Sequence, residues 1–214
     1  MEQTSIFNKD NAVDMAKRLL IDSIWKSANL EGLGTTFPKT EAILLNVPTT
    51  TNKDELLFII NMKRAWQFLL DNLNYTNNLI LLREFNKIVG ELLISNAGEI
   101  RKFNVSIGGT DWQFELPQEG ILIDKINSIN NIINIEDRTL EYFCFVARTQ
   151  MFADGNKRVA QLIANKILIE NNIGILQIPI KKIEEFKTLL IQFYETNNNS
   201  HIKSFISQYC IKRV

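Results

Sequence analysis

The turn Asp154-Gly155-Asn156 runs almost directly into Val159-Ala160-Gln161-Leu162-Ile163-Ala164-Asn165-Lys166-Ile167-Leu168, and this junction constrains the fold more than any other stretch. The second segment reads as a buried helix. Asp-Gly favours a tight turn, and Asn156 offers an N-cap. A glycine-bearing turn that opens into a helix aims free backbone N–H groups at one spot. The helix dipole adds partial positive charge there. Lys157 and Arg158 add two full charges. These residues suit a phosphate. They suit equally an ordinary loop, a capped helix and a solvated basic pair.

Elsewhere the apolar spacing is helical nearly throughout. Asp10 can cap a first helix that carries Val13, Ala16, Leu20 and Ile24 on one face and ends near Glu31-Gly32. A short helix is predicted around Glu41 to Leu45, and longer ones from Asp54 to Leu70 and Asn78 to Leu93. Helices resume at Ile121 to Ile133, Asp137 to Met151, Asn156 to Glu170, Ile180 to Thr196 and His201 to Ile211. Between 98 and 117 the character changes. Phe103, Val105 and Ile107 alternate with polar residues, Gly108-Gly109 supplies a turn, and Trp112 and Phe114 alternate beyond it. This is a hairpin signal. The predicted fold is all-α, one helical bundle of 214 residues with a single small β-hairpin.

The chain bounds its own function classes. Formal net charge is zero, with Lys and Arg spread along the sequence, so no basic field argues for nucleic acid. The apolar runs are short and interrupted, which argues against a membrane span. The start, Met1-Glu2-Gln3-Thr4, lacks a signal pattern, and the expected location is the cytoplasm. Cys144 and Cys210 have no metal-ligand spacing and read as free thiols.

The loop Phe152, Asp154, Gly155, Asn156, Lys157, Arg158 resembles the signature of the Fic/Doc (Fido) family, His-x-Phe-x-Asp/Glu-Gly-Asn-Gly/Lys-Arg. Lys157 matches the Doc-like version. Ser27-Ala28-Asn29-Leu30-Glu31-Gly32 resembles the Ser/Thr-x-x-x-Glu-Gly inhibitory motif of members with an N-terminal inhibitory helix, and Thr36 to Ala42 is also family-like. Residues 101 to 110 resemble the flap that covers the Fic site. The resemblance implies one Fic domain over residues 1–214, with 10–32 as the inhibitory-type helix and 98–117 as the flap hairpin. Two positions depart from the pattern. Gln150 stands where the family has its catalytic histidine, and Gln161 stands where many members have a second arginine.

The resemblance also implies ATP and Mg²⁺ as cofactors, and transfer of AMP to a hydroxyl of a target protein. Asp154 would hold the metal, since a hard cation takes carboxylate oxygen together with water and phosphate oxygens. Gly155 would let the backbone approach the phosphates. Asn156, Lys157, Arg158 and Gln161 complete the nucleotide-binding set, with Arg158 on terminal phosphate charge. Ser27, Glu31 and Gly32 form the inhibitory set. Glu31 projects toward the nucleotide and could reach Gln161, Lys157 or Arg158. Val105, Ser106 and Ile107 form a flap edge that could take up a target segment by strand addition. The same edge could instead close on its own helices, with Trp112 packed in the core.

Gln150 bears most on chemistry. A carboxamide has no basic nitrogen at neutral pH and cannot take the proton of an attacking hydroxyl. Loss of a general base costs roughly 10²–10⁴-fold in rate. His201 is the only histidine and reads as a solvated helix-end residue. The reading is an adenylyltransferase-like protein that binds ATP–Mg²⁺ and is impaired in transfer. The alternatives are a pseudoenzyme regulator that binds nucleotide or protein, and a Doc-like phosphotransferase suggested by Lys157.

Overall fold

The structure is a computed structural model and describes residues 11–214. Its centre is α8, Asn156–Glu170. Every residue from Arg158 to Ile169 is buried. Such a helix has no solvent face and must be surrounded. It is packed by α7 (Ile135–Thr149), α5 (Leu79–Gly90), α4 (Lys53–Asp71), α1 (Asn11–Arg18) and the strand β1 (Gly174–Leu176). α2 (Leu20–Leu30) and α3 (Phe37–Leu44) cover α4, and α6 (Glu119–Asn130) covers α7. α9 (Ile183–Thr196) and α10 (Ser200–Phe205) follow.

Asparagine and threonine side chains set several of these boundaries. Asn52 accepts from Glu55 N–H at 2.8 Å, Asn78 from Leu81 N–H at 3.0 Å, and Asn134 from Asp137 N–H at 2.9 Å. Thr36 accepts from Lys39 N–H at 3.3 Å, with Pro38 just inside the helix. Each cap satisfies an orphan amide of the first turn. The third helix therefore starts at Phe37, upstream of its predicted place, and α7 starts at Ile135 and ends at Thr149.

The predicted first helix is two helices, divided at Leu19, where ψ is 12°. Hydrogen bonds still bridge the break, Leu19 N–H to Met15 O and Ser23 N–H to Leu19 O. Ala16 and Ile24 are buried as predicted, and Val13 and Leu20 are half-buried. The cap assigned to Asp10 lies outside the described residues. α2 ends at Glu31-Gly32 as expected. Gly32 has φ +82°, its N–H donates to Asn29 O, and Leu33 N–H donates to Ala28 O. This is a Schellman ending.

The small sheet is not where alternation places it. Gly174–Leu176 pairs antiparallel with β2, Ile211–Arg213, in the register Gly174↔Arg213, Ile175↔Lys212 and Leu176↔Ile211. The predicted helix over His201 to Ile211 therefore ends early. It gives way to a wider turn at Ile206–Cys210 and then to this strand. A Cβ on Gly174 would lie 1.9 Å from Lys212 O, so only glycine lets the strands meet there.

Segment 98–117 has its turn at Gly108-Gly109 but no paired strands. A buried side chain takes the place of the ladder. The Arg101 guanidinium donates to Phe103 O (2.7 Å), Glu115 O (2.6 Å) and Gln150 O (2.5 Å), with a longer contact to Phe114 O. The two limbs are thus held by a planar five-donor fork instead of by main-chain pairs. Trp112, assigned mostly to the core, is 37% exposed, and Arg148 stacks on its ring at 4.7 Å. Among the described residues no helix is long and apolar enough to cross a membrane.

Candidate nucleotide site

The turn before α8 is built around glycine. Gly155 has φ +82° and is the N-cap, without a side-chain cap. Asn156 is the first helical residue and not the cap that the sequence suggests. Its side chain folds back: Oδ1 accepts from Phe152 N–H, and Nδ2 donates to Phe152 O and to Gln150 Oε1, each at 3.0 Å. Phe152 is fully buried and anchors the loop. From α5, Asn86 donates to Asp154 O and accepts from Gly98 N–H, both at 2.8 Å. It ties the loop to the 98–117 segment. The N–H groups of Asn156, Lys157 and Arg158 have no hydrogen-bond partner among the described residues. Three orphan amides at a helix N-terminus are donors for an anion.

A cavity of about 330 Å³ opens beside this turn. Gln150, Asp154, Asn156, Lys157 and Glu31 line its polar side. Ile107 and Gly108 of the 98–117 segment, with Leu190, Ile191 and Tyr194 of α9, line its apolar side. Lys187 stands at its edge. A cavity with cations and free amides at one end and aliphatic and aromatic walls at the other fits an anion with an apolar body.

Gln150 ends α7 in left-handed geometry, with φ +47°. Its amide bonds at both ends. Nε2 donates to Ala147 O at 2.6 Å, and Oε1 accepts from Asn156. Tyr194 lines the same cavity, and burial pushes its phenol well up from its usual range. No group beside Gln150 offers a free basic nitrogen; His201 is exposed in α10, away from the cavity lining.

The inhibitory-type motif reaches the same cavity. Glu31 Oε2 pairs with Lys157 Nζ at 3.1 Å, and Oε1 is buried without a partner. Of the partners open to Glu31 in the sequence, the structure selects Lys157. Gln161 does not meet it. Its amide donates to Lys157 O at 3.3 Å, and its side chain lines a separate crevice with Ser27. Ser27 Oγ is buried and unpartnered, and Ser27 lines that crevice and not the loop cavity. Arg158 is also committed. Nη1 donates to Val89 O at 3.2 Å, Nη2 pairs with Asp154 at 2.9 Å, and the guanidinium lies over Phe58. Val105 is half-buried and Ser106 exposed, while Ile107 alone of that trio lines the cavity.

Several residues of the site escape sequence reading. Lys187, Leu190, Ile191 and Tyr194 sit on a helix 30 or so residues beyond the loop and carry no motif. Asn86 had a signal. It is a fully buried amide within the apolar stripe of Leu82, Phe85 and Val89. A polar residue at such a position implies a buried partner.

Metal binding can be tested on the donors. Among the described residues no three acidic, histidine or cysteine side chains gather. Asp154 is largely exposed, with Oδ1 accepting from Gly155 N–H at 2.6 Å and Oδ2 on Arg158. One carboxylate fits a cation that takes its other ligands from phosphate and water.

Residues 71–168 match the Fic/DOC family. No curated protein matches the chain. The fold is similar to that of a Fic domain-containing signaling protein from Bacteroides thetaiotaomicron VPI-5482, with TM-score 0.73 and 16% identity over 92% of this chain and 83% of that one. It is similar to residues 134–508 of Fic-1 from C. elegans, with TM-score 0.74 and 19% identity over 91% of this chain and 60% of that one. A Fic family protein from Desulfovibrio desulfuricans G20 gives TM-score 0.76 and 14% identity, covering 90% and 62%. This chain thus spans less than two thirds of the worm and Desulfovibrio chains. At these identities the likeness carries the fold alone. The Fic/DOC match covers the loop and all but the last two residues of the buried helix that it opens.

Proposed function

We propose that this chain is a Fic-type protein that binds ATP in the loop cavity and is impaired in transferring AMP to a protein hydroxyl. One observation carries this reading. Gln150, in the base position, lines the same cavity as the uncapped start of α8, and its amide, which bonds to Ala147 and Asn156, has no basic nitrogen. The site keeps donors for phosphate and has no imidazole in the base position.

The residues divide the work. The free amides of Asn156, Lys157 and Arg158 would hold phosphate oxygens, and Gly155 keeps side-chain bulk away from them. Asn156 acts by fixing the loop and not by touching phosphate, because its side chain closes on Phe152 and Gln150. Asp154 would hold Mg²⁺, which when bound neutralises phosphate charge. Ile107, Leu190, Ile191 and Tyr194 would cover the apolar part of the nucleotide. Glu31 opposes the triphosphate by like charge and by occupying Lys157. A hydroxyl-bearing target would approach past residues 105–108.

The same geometry favours the regulator alternative over full activity, since binding needs no proton acceptor. Nothing in the geometry favours phosphotransfer, because the lysine that suggested it is held by Glu31. The test is calorimetric titration of ATP–Mg²⁺ into the natural chain and into Glu31→Gly, together with a labelled-ATP transfer assay. Saturable binding with weak transfer supports the reading. No binding at millimolar nucleotide in either protein overturns it.

A further inference from the structure

A second cavity, of about 310 Å³, lies on the far side of the 98–117 segment, between that segment and helices α6 and α7. It shares no lining residue with the loop cavity. Its walls are apolar and partly open to solvent: Trp112 is 37% exposed, Leu116 50% and Ile121 61%, with Phe145 half-buried behind them. Exposed apolar residues scattered singly need no explanation, but a tryptophan and aliphatic groups gathered at one cavity mark a place where something apolar is received.

The polar groups of this cavity define the charge of its occupant. Arg148 stacks its guanidinium on Trp112 at 4.7 Å and donates from Nε to Phe193 O and from Nη2 to Tyr194 O. Its Nη1 has no partner among the described residues. Lys125, one turn along α6 from Ile121, lines the cavity and has no ion-pair or hydrogen-bond partner among the described residues. Glu115 supplies one opposing charge near Arg148. Two cations against one carboxylate leave a single uncompensated positive charge. The free donors, Nη1 and Nζ, are both groups that form charge-assisted bonds to carboxylate oxygen.

We propose that this cavity is a second binding site, which takes a compact apolar group bearing one carboxylate. The apolar body packs on Trp112, Leu116 and Phe145, and the carboxylate accepts from Arg148 and Lys125. Two sources carry this chemistry, a free apolar acid and the C-terminal residue of a peptide.

The experiment reads tryptophan fluorescence of the full chain during titration with N-acetyl-L-phenylalanine, its amide, and a pentapeptide Ala-Ala-Ala-Ala-Phe with free or amidated end. The free acid or the free-ended peptide should give a saturable change that vanishes in Trp112→Phe, which separates it from Trp25 and Trp66. Amidation should weaken binding about tenfold or more, as expected for loss of a charge-assisted contact. Lys125→Glu should do the same, and that exposed helix position leaves the fold intact. Tighter binding of the peptide than of the acid identifies a C-terminus as the source, and the reverse identifies a free acid. No saturable change with either probe, equal affinity for acid and amide, or an unaffected Lys125→Glu variant overturns the proposal.

Discussion

Lys157 Nζ lies 3.1 Å from Glu31 Oε2, so the basic residue that opens α8 is held by the carboxylate that closes α2. The pair joins the inhibitory-type motif to the phosphate loop without an arginine at position 161. Both side chains are partly exposed, which keeps the pair modest in strength. Removing the carboxylate as Glu31→Gly should release Lys157 and tighten ATP binding by about 1–2 kcal/mol, the size of one hydrogen-bonded contact. Lys157→Met should weaken it, because the cation is lost along with the pair. Calorimetry on the two variants checks both signs. Equal affinity in Glu31→Gly and the natural chain would reduce the motif to a helix terminus.

Gln150 predicts a recoverable defect. The natural chain should show little self-labelling with α-labelled ATP. Gln150→His, and more so Gln150→His with Glu31→Gly, should raise the rate by about 10²-fold or more, the usual contribution of a general base. The Asn156 amide already bonds to this position, so a partner exists to orient an imidazole. Strong labelling by the natural chain would sink the claim of impairment. An inert double variant would move the defect to Gln161 or Lys157.

The fold and the loop were legible where one local signal decided the outcome. The unbroken apolar run after Asp154-Gly155 fixed a buried helix, and Asn156 to Glu170 is α8 to the residue. Glu31-Gly32 fixed a helix end. Alternation between 103 and 114 misled, because Arg101, a single charged residue, satisfies the carbonyls that a strand partner would have taken. The final strand was hidden because its partner lies at 174–176, and no local pattern reports a pairing across that distance. In the site, Lys157 and Glu31 were named but their pairing was one of three open choices. Asn156 was assigned to phosphate by motif, and only the packed loop reveals that its amide is spent on Phe152 and Gln150.

Arg101 should therefore be the main support of the 98–117 segment. It is 3% exposed and donates to carbonyls on both limbs and on Gln150. Arg101→Met keeps the stem and removes the donors. The buried carbonyls lose their partners, and stability should fall by about 2–4 kcal/mol. Limited proteolysis should then cut between 102 and 113 in the variant far faster than in the natural chain. Equal cutting would mean that the segment is held by its packing alone.

Both thiols should be inert in the folded protein. Burial pushes Cys144 and Cys210 up to about 12, so almost no thiolate exists near pH 8. Reaction with a disulfide reagent should be slow under native conditions, and two thiols per chain should react at once in denaturant. Fast native reaction of either thiol would contradict its packing in α7 or against β2.

Gly155 makes the sharpest test of the loop itself. Its φ of +82° lies in the left-handed region, which costs a residue with a Cβ about 1–2 kcal/mol. Space is also short. A Cβ would lie 2.9 Å from Asn86 Nδ2 and 3.4 Å from Ile94 Cδ1. Asn86 cannot yield without loosening its bonds to Asp154 O and Gly98 N–H, which join the loop to the 98–117 segment. Gly155→Ala should therefore cost more than the backbone term, about 2–4 kcal/mol once a buried hydrogen bond is included. It should also displace Asp154 and Lys157 from the cavity and weaken nucleotide binding. Gly108→Ala is the control, because a Cβ there meets nothing within 4 Å. Urea titration of the two variants compares them directly. If both midpoints match the natural chain, the turn before α8 does not need glycine and the loop geometry described here is not the one that holds the site together.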